Sequence, residues 1–123
     1  MKILLVSYSP GRALTLQRVL ESQGHEVLAM GGSGDRIFRE MRAQAPELRV
    51  VVLDLASRPS HTLELGDAMA KTKYMAHIAR LWLDGNDKDT EKVKERISSQ
   101  ERFVTLEELE VELRRIKEGR LRN

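Results

Sequence analysis

No cysteine occurs in the 123 residues. This removes disulfides and thiolate-held metals, and it agrees with a reducing cytosol as the expected location. No apolar run approaches the ~18 residues of a membrane span. The opening "MKILLVSYSP" lacks the length and cleavage site of a signal peptide and is read as mature structure. A dominant charge is also missing: 21 Lys+Arg stand against 19 Asp+Glu, net +2, too mild a surplus for a nucleic-acid binder. There is no HExxH and no Cys/His cluster, and His25, His61 and His77 lie far apart, so no transition-metal site is expected. A GxSxG elbow and a nucleophile–base pair are likewise missing. The chain is therefore expected not to be an enzyme, with no catalytic residue, metal or cofactor assigned. Without repeats, low-complexity tracts or an internal linker, it reads as a single domain over 1–119, followed by a basic tail at 120–123.

What the sequence does contain is alternation. Short apolar runs take turns with helical patterns five times. The strands are expected at Lys2–Ser7, His25–Met30, Arg49–Leu55, His77–Asp84 and Arg102–Thr105. Between and after them, helices are expected at about Arg12–Gln23, Asp35–Ala45, Thr62–Tyr74 and Lys88–Ser99, and from Leu106 onward. Pro46 is read as the end of the second helix. The clearest amphipathic stripe is Leu106, Leu109, Leu113 and Ile116. Five βα units in succession imply a parallel sheet covered on both faces, with right-handed crossovers. The expected fold class is three-layer αβα.

Ligands of such sheets gather at the carboxyl ends of the strands, where the strand order reverses. With an order of 2-1-3-4-5, the ends of strands one, three and four bring Ser7, Tyr8, Ser9, Asp54 and Asp84 to one cleft, with Thr105 after strand five. "VVVLDLASRP", residues 50–59, is the most pointed stretch: a strand buried on both faces that runs straight into Asp54. Two carboxylates in one cleft are expected to repel and to raise the pKa of at least one of them.

The chain also resembles a known family over nearly its full length. "KILLVS", "LQRVLESQGHEVLAM", "ELRVVVLDL" and "FVTLEELEVELRRI" are similar to the matching segments of response-regulator receiver domains, which are CheY-like and flavodoxin-like in fold. The resemblance implies a five-stranded (βα)5 domain with Asp54 as the phosphoacceptor equivalent. It also implies groups that are not here. The family holds magnesium with two acids after strand one, where this chain has Ser7 and Tyr8. It places Ser or Thr after strand four, where Asp84 stands, and Lys after strand five, where Thr105 is nearest. Pro59 falls one residue later than the family's proline. The expected function is a stand-alone degenerate receiver, a pseudo-receiver in two-component signalling. It would act without phosphoryl transfer by binding a protein partner or itself through the helix 4/strand 5/helix 5 face. The alternatives are a working phosphoacceptor at Asp54 and a small-ligand-binding flavodoxin-like domain.

Other motifs have plainer readings. "GGSGD" follows strand two and lacks the phosphate-loop ending, so it reads as a turn with Ser33 as a helix cap. Ser9 before Pro10 is a helix start. Trp82 belongs to the core. Arg80, in the same strand, needs a carboxylate partner or a route to solvent along its stem. Lys71 and Lys73 read as part of a solvated face.

Overall fold

The computed structural model describes residues 1–44, 47–73, 75, 77–95 and 97–119. Its elements alternate as the apolar runs imply: β1 (Lys2–Val6), α1 (Pro10–Ser22), β2 (Glu26–Met30), α2 (Gly34–Gln44), β3 (Leu48–Asp54), α3 (Pro59–Lys71), β4 (Ala79–Leu83), α4 (Asp87–Lys94), β5 (Glu101–Val104) and α5 (Leu106–Lys117). All strand pairs are parallel, and the sheet order is β2-β1-β3-β4-β5. The fold is thus the expected αβα arrangement.

Alternation along the strands divides the core in two. Leu4, Val6, Val51, Leu53 and Trp82 pack with Ile37, Met41, Leu65, Met69 and Val93 from α2, α3 and α4. Ile3, Leu5, Val50, Val52, Leu81 and Leu83 pack with Leu16, Leu20, Leu109, Leu113 and Ile116 from α1 and α5. Each strand residue of β3 except Arg49 is buried. This explains the unbroken apolar character of "VVVL". Continuing the same alternation through Val50 and Val52 puts Asp54 on the α1/α5 side of the sheet. Trp82 is fully buried against α3, and Gly66 makes that possible, because a Cβ there would fall on the indole ring.

Of the two solutions open to Arg80, a carboxylate partner or a route to solvent, the fold supplies the carboxylate. Its guanidinium is buried and lies 3.7 Å from the buried Glu101. It also donates to the carbonyls of Met75 at 3.0 Å and Ile78 at 2.8 Å. Glu101 accepts from Trp82 Nε1 at 3.0 Å and from the Ser98 amide at 2.9 Å. Burial pushes the Glu101 carboxyl pKa up, but the Ser98 and Trp82 hydrogen bonds and the Arg80 charge outweigh it and leave the pKa below the ordinary value.

Some boundaries move. Helix α3 starts at Pro59 rather than Thr62, since proline suits a first turn. Helix α4 ends at Lys94 rather than Ser99. Beyond it the chain turns so that Ser98 contacts Glu101 through both its amide and its carbonyl. Ala45, Pro46, Tyr74 and the tail at 120–123 lie outside the described residues.

Candidate functional site

The carboxyl ends of β1, β3 and β4 converge as expected, but a residue from α1 dominates the meeting point. Arg12 sits at the third position of α1, one turn inside a helix whose start is capped by Ser9 and opened by Pro10. A cation is unfavourable there, because the helix N-terminus carries positive partial charge. Two carboxylates compensate. Arg12 Nε donates to Asp54 Oδ2 at 2.9 Å and Nη2 to Asp54 Oδ1 at 2.8 Å, a two-toothed fork. The same Nη2 donates to Asp84 Oδ2 at 3.2 Å.

Asp54 is wholly buried, and its carboxylate accepts four hydrogen bonds from the described residues. Besides Arg12, Ser7 Oγ donates to Oδ2 at 2.8 Å and the Ala56 amide to Oδ1 at 3.2 Å. Each oxygen therefore accepts two hydrogen bonds. Asp84 adopts φ 51°, a left-handed conformation that Asp tolerates better than most residues. This conformation turns its second oxygen, Oδ1, to the Leu106 amide at 3.1 Å. A guanidinium that the sequence reading did not place here bonds to both carboxylates and sets a positive charge between them. The hydrogen bond to Asp54, with lesser help from Asp84, raises the Arg12 pKa still further above its already high ordinary value.

The remaining expected residues have other partners. The Tyr8 amide donates to Ser57 Oγ at 2.9 Å, and its ring meets His61 at a centroid distance of 5.8 Å. Ser9 caps α1. Thr105 is an exposed cap whose Oγ accepts from the Glu108 amide at 3.3 Å, while the Thr105 amide donates to Glu108 Oε1 at 2.9 Å. The side chain of Thr105 thus serves α5, and it is the next residue's amide that reaches Asp84. Arg12, Ser57 and the Ala56 amide were not foreseen. The one sequence signal for Arg12 was a cation at the third helical position, where a capping box would carry Glu.

After Asp54, the chain is held in an uncommon shape. Arg58 has φ 40° and ψ 66° directly before Pro59, a conformation that costs a non-glycine residue about 1–3 kcal/mol. The buried Thr62 fixes it, donating from Oγ to the carbonyls of Ser57 at 2.9 Å and Arg58 at 3.1 Å.

The receiver family supplies a divalent ion at this point of the fold. The residues present do not fit one. Asp54 has both oxygens engaged, Ser7 and Tyr8 stand after β1 where the resemblance implies acids, and a cation from the chain itself already bridges Asp54 and Asp84. Among the described residues, no group of three or more His, Cys, Asp or Glu is arranged to hold a metal, and no helix is long and apolar enough to cross a membrane.

The fold is that of the response-regulator receiver domains. The signal receiver domain of a signal transduction histidine kinase from Syntrophus aciditrophicus superposes with a TM-score of 0.76 at 18% identity, covering 96% of this chain and 90% of that one. Vibrio cholerae chemotaxis protein CheY4 gives 0.73 at 16% identity, covering 94% and 97%. A crystal structure of histidine kinase ThkA in complex with response regulator protein TrrA gives 0.67 at 17% identity, covering 94% and 97%. No protein-family model matches the sequence, and no curated protein matches it.

Proposed function

We propose that this chain is a degenerate receiver-like signalling domain that acts by binding a protein partner and does not carry out phosphoryl transfer. One observation supports this reading above the others: the Asp54 carboxylate is fully committed to Arg12, Ser7 and the Ala56 amide. An acceptor carboxylate must offer a lone pair in line with the incoming phosphorus. Cations must also offset charge on the transferred oxygens. Here the lone pairs are occupied, the nearby cation is held by two acids, and Asp84 would oppose phosphoryl oxygens with like charge.

The partner reading draws on the neighbour solved with a histidine kinase. The surface we assign to it is the face formed by α4, β5 and α5. Leu106 and Val111 on α5, together with Ile97 before β5, are the exposed large apolar residues in that part of the chain. Helix α4 buries only Asp89 and Val93 and offers few anchors, so self-association through it would be weak.

Incubation with acetyl phosphate and Mg²⁺, followed by intact-mass measurement, tests the reading. The expected mass is unchanged. A gain of one phosphoryl group mapped to Asp54 overturns it.

A further inference from the structure

A cleft of about 430 Å³ opens beside the acid site, between the start of α1 and the glycine turn after β2. That volume falls within the ~300–1,000 Å³ of small-molecule sites. Its lining is mostly apolar, with Pro10, Ala13, Ala29 and Met30 beside Tyr8. The turn that closes it must stay thin, because a Cβ at Gly31 would lie 2.6 Å from the Ser7 carbonyl oxygen. Among the described residues, no acidic side chain lines it and Arg58 is its one charged wall.

Two arginines thus flank this edge of the sheet, with different commitments. Arg12 is consumed by Asp54 and Asp84. Arg58 is exposed, and among the described residues its side chain has no hydrogen bond or ion pair. Its backbone is nevertheless not left to chance, since the left-handed shape before Pro59 is pinned by Thr62. A guanidinium presented from a fixed, strained backbone over an apolar cleft is suited to grip a carboxylate by its fork, while the body of the ligand leaves water.

We propose that this cleft binds a small monocarboxylate with an apolar body, its acid group paired with Arg58. The cleft adjoins Asp54 through Ser7, which lines it and donates to Asp54 Oδ2 at 2.8 Å, but the proposed ligand contacts do not include the Asp54 carboxylate.

Amide chemical-shift mapping on the ¹⁵N-labelled chain tests it, with phenylacetate, hexanoate and indole-3-acetate as probes and phenylacetamide and inorganic phosphate as controls. At least one probe acid is expected to give saturable shifts centred on Ala13, Ala29, Met30 and Gly32, with both controls weaker by about tenfold or more. Arg58→Gln, a surface change that leaves the core untouched, is expected to weaken the acid by about tenfold. Ala29→Leu, which fills the cleft, is expected to abolish binding. Three results overturn the proposal: no saturable shift from any probe acid, equal response to phenylacetamide or phosphate, or undiminished binding in Arg58→Gln.

Discussion

Replacing Arg12 with alanine isolates the contact on which the proposed degenerate reading rests. The substitution removes three charge-assisted hydrogen bonds, two to the buried Asp54 and one to Asp84. Breaking a fully buried ion pair costs about 3–5 kcal/mol. The Arg12 side chain is 36% exposed, so water screens part of the interaction and reaches the vacated space. Asp54 also keeps its bonds from Ser7 and Ala56. The expected loss is therefore about 2–3 kcal/mol, or a fall in Tm of about 8–12 °C for a chain of this length. Urea denaturation should show a lower midpoint with an unchanged slope. A second measurement separates this account from a simple packing defect. With the guanidinium gone, Asp54 and Asp84 face one another and can share a divalent cation. Mg²⁺ at ten times its Kd should then restore about 1.4 kcal/mol to the variant and nothing to the parent chain. A variant within about 0.5 kcal/mol of the parent, or a parent stabilised by Mg²⁺ as much as the variant, would refute the reasoning. Arg12→Lys should lie between the two, since an ammonium cannot reproduce the fork.

Three further outcomes follow from other parts of the fold. Glu101→Gln leaves the buried Arg80 without its carboxylate and should cost about 3 kcal/mol at neutral pH. The folded-state pKa of Glu101 is depressed, so its contribution is complete above the ordinary carboxyl value of 4.5 and disappears as pH falls through the lower folded value. Denaturation midpoints of parent and variant should accordingly converge in acid, and a gap that stays constant with pH contradicts this. Gly66→Ala drives a methyl into the Trp82 ring and should destabilise by about 1–3 kcal/mol or more; an unshifted tryptophan emission and Tm would show that α3 can move aside. Thr105→Ala removes the capping box of α5 and should cost about 1 kcal/mol, read as faster amide exchange in the first turn of α5, with the environment of Asp54 unaltered in NMR spectra.

How much of this was legible in the sequence depends on the range of the interaction. The layer structure followed from local patterns, whereas the strand order came with the receiver-like fold and from no local signal. Gly24, at φ 88°, lies just past the expected helix end at Gln23, and the apolar runs without alternation are buried on both faces. That Arg80 needs either a carboxylate or a route to solvent was also readable from "ARLWL", and the fold takes the first of these. Its partner was harder to name. Glu101 reads as part of the polar turn before Arg102, yet β5 begins with it. The Arg12 fork was hidden for a related reason, since its partners lie 42 and 72 positions away along the chain. Only the tertiary fold brings them together. Thr105 marks the opposite case: a residue placed near the cleft by strand topology, but claimed by the local demand of a helix start.

Strand β4 is moored at both extremities. Its first turnings are tied by the Arg80–Glu101 pair and by carbonyls of the preceding loop. Just past its last residue, Asp84 is tied to α1 and α5. A strand fastened in this way has little freedom to slide along its neighbours, so a partner's pull at the sheet's carboxyl edge would be resisted as shear across the whole strand rather than absorbed by local fraying.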